Sequence, residues 1–159
     1  MITCKLLLCA EGLVRDADDG GTSVFNILDT IQAAGFPFFF QRIAVFALLN
    51  RLPEEDPNQC TIRFRLAIDQ TELAKMDLAV DFLNGTRNRS YVRIYGLVIP
   101  HPGTLFISVL HEDRVLATYD LFVEQMKTPP TFQAIQAPAA AVTPEPTATP
   151  TATGENAPG

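Results

Sequence analysis

This chain of 159 residues has little of the material from which active sites and metal centres are built. It contains two histidines and three cysteines, and no pair of cysteines has the spacing of metal ligands. No serine lies in a nucleophile elbow, and no glycine-rich phosphate loop is present. His101 lies between two prolines and His111 beside two acidic residues, so both are predicted to be solvated turn residues. We therefore predict no enzyme, no catalytic residue, no cofactor and no metal site.

The odd number of cysteines excludes a fully paired disulfide framework. Cys4 and Cys9 are five residues apart on a predicted strand, so they are expected to point to opposite faces. Cys60 has no histidine nearby in sequence and is a poor candidate for a nucleophile. All three are predicted to be buried free thiols in a reducing compartment.

Long uninterrupted apolar runs are also missing. The stretch from Leu6 to Ala10 is too short for the apolar region of a signal peptide. The run from Phe36 to Leu49 is interrupted by Pro37, Gln41 and Arg42, and it falls short of a membrane span. The expectation is a cytoplasmic protein that does not cross a membrane.

Basic residues are in the minority, with 12 Lys and Arg against 18 Asp and Glu and a net charge of -6. Nucleic-acid binding requires clustered Lys and Arg, so no nucleic-acid partner is predicted. Five arginines still form one basic cluster in the sequence. Asp77 and Asp81 lie between them on a predicted meander, so cross-strand ion pairs are expected, with an anionic partner or ligand as the alternative. The cluster comprises Arg63, Arg65, Arg87, Arg89 and Arg93.

Strand-forming patterns dominate what is present. Apolar and polar residues alternate over 61–69 and 76–82, which indicates strands rather than helices. Tyr91 to Gln125 is rich in β-branched and aromatic residues and reads as a long hairpin, and Thr22–Ala33 reads as one strand. About eight strands at short intervals predict an all-β fold, an antiparallel β-sandwich that is immunoglobulin-like or similar. The predicted domain spans 1–127, and the Pro/Thr/Ala-rich segment 128–159 is predicted to be a disordered tail.

Acidic loops suggest a second class of function. Asp16 and Asp18 are spaced as in a calcium-binding loop, but Gly20 and Ile27 occupy two positions that require ligands. If consecutive strands run antiparallel, three acidic loops meet at one end of the sandwich. A calcium-dependent docking domain is therefore an alternative function. The three loops are Asp16–Asp19, Glu54–Asp56 and Glu112–Asp113.

The segment from Phe38 to Leu49 is apolar on both of its predicted faces. A two-layer sandwich has one core and can cover only one of them, so the other predicts a homodimer or a protein partner. The competing explanation is that the loop Glu11–Gly21 or the tail folds over the second face. One face comprises Phe38, Phe40, Ala44, Phe46 and Leu48, and the other Phe39, Ile43, Val45, Ala47 and Leu49.

Four short motifs carry a resemblance: CAEG (9–12), FNIL (25–28), GFP (35–37) and PHPG (100–103). With them, most of residues 1–125 resembles a small bacterial family of unknown function, whose members are single-domain β-sandwich proteins. The resemblance implies a fold and a bacterial source, and it brings no catalytic residues. The predicted function is a non-catalytic protein-interaction or structural module, with the calcium-dependent domain and a small hydrolase as alternatives.

Overall fold

The computed structural model describes residues 1–16, 18 and 20–127. The regular structure of these residues consists of strands alone, with no helix among them. It follows that no described segment is a helix able to span a membrane. The predicted tail at 128–159 lies outside the described residues.

The nine described strands form two packed sheets, which confirms the predicted all-β sandwich. One sheet has four strands in the order β2-β1-β4-β7, and the other has five in the order β3-β9-β8-β5-β6. Neighbouring strands are antiparallel except for β3 and β9, which are parallel. The strands are β1 (Thr3–Arg15), β2 (Thr22–Ile27), β3 (Thr30–Ala33), β4 (Phe38–Asn50), β5 (Gln59–Ile68), β6 (Thr71–Asp81), β7 (Arg87–Ile99), β8 (Gly103–His111) and β9 (Arg114–Gln125).

The segment Thr22–Ala33, predicted as one strand, is divided between the two sheets. Asn26 adopts a positive φ of 53°, and Leu28 and Asp29 carry the chain from one sheet to the other. The amide of Leu28 donates to the carbonyl of Cys9 in the four-stranded sheet, whereas the carbonyl of Asp29 accepts from the amide of Phe122 in the five-stranded sheet. This crossing adds the ninth strand.

The alternation predicted for β5 is confirmed by burial. Ile62, Phe64, Leu66 and Ile68 are fully buried between the sheets, whereas the arginines between them face away from the core. Side chains of β4, β7 and β8 complete this core from both layers. Area buried in this way is the main stabilising contribution to a sandwich of this size.

A break in alternation affects β4 and β7 at the same place. Residues 38 and 40 of β4 pack toward the core, and so do residues 43 and 45; on β7 the core positions change from 92 and 94 to 97 and 99. Gly96, with a φ of +70°, lies at this break opposite Gln41. The two predicted faces of β4 are therefore wrong as continuous sets, since each one changes side at Gln41.

The distal part of the hairpin formed by β1 and β2 bends over the outer face of β4 and β7, which belong to the same sheet. Arg93 of β7 donates from Nη2 to the carbonyl of Leu13 (3.1 Å), and Arg42 of β4 donates from Nε to the carbonyl of Glu11 (3.2 Å). Leu13, Ala44 and Phe46 are buried, yet they do not belong to the core between the sheets. The outer half of β4 is thus covered locally by the chain itself, as the competing expectation for Glu11–Gly21 proposed.

Arg51 holds two loops together next to this sheet. Its Nε donates to the carbonyl of Gly85 (2.8 Å) and its Nη1 to the carbonyl of Asp56 (3.0 Å). The guanidinium also lies 5.6 Å from the centre of the Phe82 ring. This buried arginine has a structural role, because its contacts join two loops and an aromatic ring of the same fold.

Candidate functional site

The three acidic loops do not meet at one end of the sandwich. β2 and β4 both pair antiparallel with β1, so β4 ends beside Thr3, at the opposite end of β1 from the loop that follows Arg15. Glu54–Asp56 and Glu112–Asp113 lie at the Thr3 end, and Asp16 and Asp18 do not. The described residues contain no group of three or more His, Cys, Asp or Glu side chains that could hold a metal ion.

The thiols are poor nucleophiles in their surroundings. Burial raises the pKa of Cys60, and the carboxylates of Asp56 and Glu112 raise it further. Burial also raises the pKa of Cys4, and it raises that of Cys9 to about 12. All three are free and protonated at neutral pH, and a thiol in that form attacks weakly.

Cys4 and Cys9 lie on the same side of β1, contrary to the prediction. The pairing of β1 with β4 shifts in register between Cys4 and Leu6, and this irregularity inserts one residue into the alternation. Cys9 is buried in the core and Cys4 packs against it. Cys4 and Cys60 are only half-buried.

One arginine on the outer face of the five-stranded sheet is paired with a carboxylate. Arg63 donates from Nε to Oδ1 of Asp77 (2.7 Å) and from Nη2 to Oδ2 (3.1 Å), and the two residues are cross-strand partners. The Arg63 guanidinium holds the pKa of Asp77 below its usual range. The predicted cross-strand ion pair is confirmed at this position.

The predicted cluster of five arginines is divided between the sheets. Arg63 and Arg65 are on β5, but the turn after β6 crosses to the other layer, so Arg87, Arg89 and Arg93 project from β7. Asp81 is not an ion-pair partner of these arginines. The meander that was expected to neutralise them does not exist.

Three arginines, two of them from the predicted cluster, surround one cavity on the outer side of the four-stranded sheet. Arg15 approaches from the end of β1, and Arg87 and Arg89 approach from β7, around a space of about 520 Å³. Within the described part of the chain, no carboxylate forms an ion pair with any of the three. We call this the arginine cavity; Gly20, Thr22, Leu48, Asp81 and Tyr91 also line it.

Beyond the break at Gly96 the same face exposes large apolar side chains. Phe39, Tyr95 and Val98 are 58%, 67% and 50% exposed, and Phe39 and Val98 are direct cross-strand partners. The Phe39 ring lies over Gly96, where an added Cβ would be 3.5 Å from two ring carbons. We call these three residues the aromatic patch.

The patch was not predicted, because the apolar residues of β7 were treated as one regular strand. A glycine inside a strand pattern is a known sign of a bend or a close approach, and Gly96 is the signal that would have located the break. Arg42 is the cross-strand partner of Tyr95, so the patch borders on another guanidinium.

Comparison with known proteins assigns the sequence to a family, and that family has no known activity. Residues 6–124 match a family of unknown function, DUF6941, which confirms the expected resemblance to such a family. No curated protein matches the chain.

Two solved structures are similar over part of the chain. A glycosyl hydrolase family 2 member from Bacteroides cellulosilyticus has a TM-score of 0.37 at 12% identity, over 50% of this chain and 11% of that one. The Pseudomonas fluorescens alkylpurine DNA glycosylase AlkC, bound to DNA containing an abasic site analog, has a TM-score of 0.45 at 10% identity, over 77% of this chain and 30% of that one. The chain thus spans less than a third of either protein.

Proposed function

Because the chain belongs to DUF6941, a family of unknown function, we propose a function from its own surface: a non-catalytic module that binds a protein partner. The proposed binding surface is the outer face of the four-stranded sheet, comprising the aromatic patch and the arginines beside it. The proposed compartment is the cytoplasm, where three unpaired thiols remain reduced.

The observation that supports this proposal is the aromatic patch. Its three neighbouring side chains are each half or more exposed, although the sheet offers buried positions on the same strands. Aromatic residues and arginine are enriched in protein–protein interfaces, where a ring supplies contact area at low entropic cost. Exposed apolar side chains that adjoin one another mark interaction surfaces more often than scattered ones do.

The groups available for catalysis favour binding over chemistry. The raised pKa values keep the Cys4, Cys9 and Cys60 thiols protonated. The ring Nδ1 of His101 lies 2.9 Å from the carbonyl of Pro102 in an exposed turn, and among the described residues it contacts no serine, threonine or cysteine side chain. General acid–base or nucleophilic catalysis needs a nucleophile and a base within hydrogen-bonding reach of each other.

Charge favours a different protein over a second copy as the partner. A homodimer with two-fold symmetry places the same patch on both sides of the interface. Through this face it would bring Arg42, Arg87 and Arg89 of one copy close to the same arginines of the other, and like charges that face each other oppose association. An acidic partner has no such cost.

Selection from a displayed library of random peptides tests the proposal. The wild-type chain serves as bait, and the variant Phe39→Ala/Tyr95→Ala serves for counter-selection. We expect the enriched peptides to combine apolar and acidic residues and to lose binding to this variant. The matched control is Phe106→Ala, which removes an exposed ring from the other sheet and should leave binding unchanged.

Two results would contradict the proposal. One is enrichment that is equal for the wild-type and doubly substituted chains. The other is a dimeric mass in light scattering that becomes monomeric with Tyr95→Asp, because the second copy would then be the partner. Thermal unfolding of each variant establishes that the chain is folded before binding is compared.

A further inference from the structure

Among the described residues, no carboxylate forms an ion pair with the arginines of the arginine cavity. Asp81 is the acidic residue that lines it, and its carboxylate accepts hydrogen bonds from the Leu83 amide (2.7 Å), Gln59 Nε2 (2.8 Å) and Asn58 Nδ2 (3.1 Å). These bonds, led by that from the Leu83 amide, hold the pKa of Asp81 below its usual range. The carboxylate therefore belongs to the turn after β6 and leaves the three guanidinium groups to other partners.

Arg93, on the same strand as Arg87 and Arg89, has a structural role. Its guanidinium donates to the Leu13 carbonyl and lies 5.3 Å from the centre of the Tyr91 ring. In the described part of the chain, Arg87 and Arg89 make no hydrogen bond or ion pair of this kind, although they share the outer face of β7 with Arg93. Two like charges so placed repel each other, and a bound anion would relieve that repulsion.

We infer that the arginine cavity binds carboxylate side chains of an extended acidic segment. The inference rests on the proposed function, since the segment belongs to the protein partner. Residues 87 and 89 are two apart on a strand, so their side chains leave the sheet about 6.6 Å apart. Alternate residues of an extended peptide have the same spacing, and the planar guanidinium group binds a carboxylate through two parallel hydrogen bonds.

Carboxylates fit the site better than the phosphates of a nucleic acid. The chain as a whole carries a charge of -6, which repels a long polyanion, whereas a short segment with a few carboxylates experiences less of this repulsion. The aromatic patch on the same face suits the apolar residues of a protein, and an acidic segment beside it would set the orientation of the partner.

The test follows the side-chain Nε–H signals of arginine by nuclear magnetic resonance. Tetraglutamate is titrated into the full chain at about 0.15 M salt, with tetraglutamine as the uncharged control. We expect the signals of Arg15, Arg87 and Arg89 to shift and saturate with tetraglutamate only. Arg65, an exposed arginine on the other sheet, should not shift.

Substitution then measures the contribution of each arginine. Arg87→Gln and Arg89→Gln should each weaken tetraglutamate binding about tenfold, as expected for one lost charge-assisted contact. Arg65→Gln should leave the affinity unchanged, and all three variants should keep the thermal midpoint of the wild type.

Three results overturn the inference. The first is that the Arg87 and Arg89 signals do not shift with tetraglutamate. The second is that the Arg65 signal shifts equally, which would mean unspecific charge attraction. The third is that inorganic phosphate or an oligothymidylate shifts the Arg87 and Arg89 signals at a lower concentration than tetraglutamate does. The proposed function has a separate outcome, because the displayed peptides depend on Phe39 and Tyr95. Failure at the arginines with binding retained at the aromatic patch would remove this inference alone.

Discussion

The outer faces of the two sheets use the same residue types in opposite ways. On the five-stranded sheet, Arg63 pairs with Asp77 across the strands and Ser108 lies within 3.3 Å of Thr118, so polar side chains satisfy one another. On the four-stranded sheet, three arginines face a cavity in which no described carboxylate forms an ion pair with them, and aromatic rings are exposed beside them. The five-stranded sheet also exposes Phe106 and Phe122, so the contrast between the two faces lies in the three arginines that share one cavity.

The largest expected difference is in unfolding free energy, between substitution of a phenylalanine that the chain covers and of one that it leaves exposed. Phe46 faces outward but is only 7% exposed, because the β1–β2 hairpin lies over it, whereas Phe106 on the other outer face is 38% exposed. Phe46→Ala should therefore destabilise the chain by about 3 kcal/mol, as in a core. Phe106→Ala should cost under about 1 kcal/mol. Urea unfolding of both variants measures the difference, and equal costs would show that the hairpin does not protect the face.

The next prediction compares two glycines. Gly96 lies at the break in alternation of β4 and β7, and Gly35 lies outside the strands. Gly96→Ala forces a residue with a Cβ into a positive φ, which should cost about 1 kcal/mol. Gly35→Ala is the control, because an added Cβ there meets no atom within 4 Å and its φ is not in the positive region. Thermal unfolding of the two variants compares them, and a neutral Gly96→Ala would mean that the break does not depend on glycine.

A smaller difference separates the arginines of the two faces. Arg63→Gln removes the partner of Asp77 and should lower stability slightly, whereas Arg89→Gln breaks no ion pair among the described residues and should leave stability unchanged. The lowered pKa of Asp77 means that its contribution is present above the unfolded pKa and is lost as the pH falls through the folded value. The cost of Arg63→Gln should therefore vanish in acid. A cost independent of pH would contradict the ion pair.

The smallest expected effect concerns calcium. Asp16 and Asp18 lie at the opposite end of the sandwich from the other two acidic loops, and the described residues offer no cluster of ligands, so added Ca²⁺ should leave the thermal midpoint unchanged. Chelator-treated protein is scanned with and without the ion. A rise in the midpoint that Asp18→Asn removes would restore the calcium-dependent docking domain as a candidate function.

Residue patterns predicted the sheets well where burial alone decides the side-chain direction. The alternation from Ile62 to Ile68 was confirmed because that strand has one buried face and one solvated face. The sequence could not show that the β1–β2 hairpin bends over β4, since the hydrogen bonds from Arg93 to Leu13 and from Arg42 to Glu11 form only through tertiary packing. It also could not show that the turn after β6 changes layers, which separates Arg63 from Arg87.

The candidate site also forms through contacts between residues that are far apart in the sequence. The arginine cavity joins residue 15 to residues 87 and 89, and no local pattern connects positions so distant in the chain. The Gly96 break was visible as a glycine within an apolar strand, but its effect on two strands required the register of β4 with β7. A single sequence thus predicted the architecture better than the proposed binding surface.

β7 is thirteen residues long and lies at one end of its sheet order. Such a strand can template the addition of foreign strands, and proteins resist this aggregation with charged side chains and local irregularities on the exposed edge. Arg87, Arg89 and the Gly96 break supply both kinds of protection. Arg87 and Arg89, proposed to bind a partner, therefore also oppose the pairing of this edge with foreign strands, and Arg87→Gln/Arg89→Gln should aggregate sooner than the wild type.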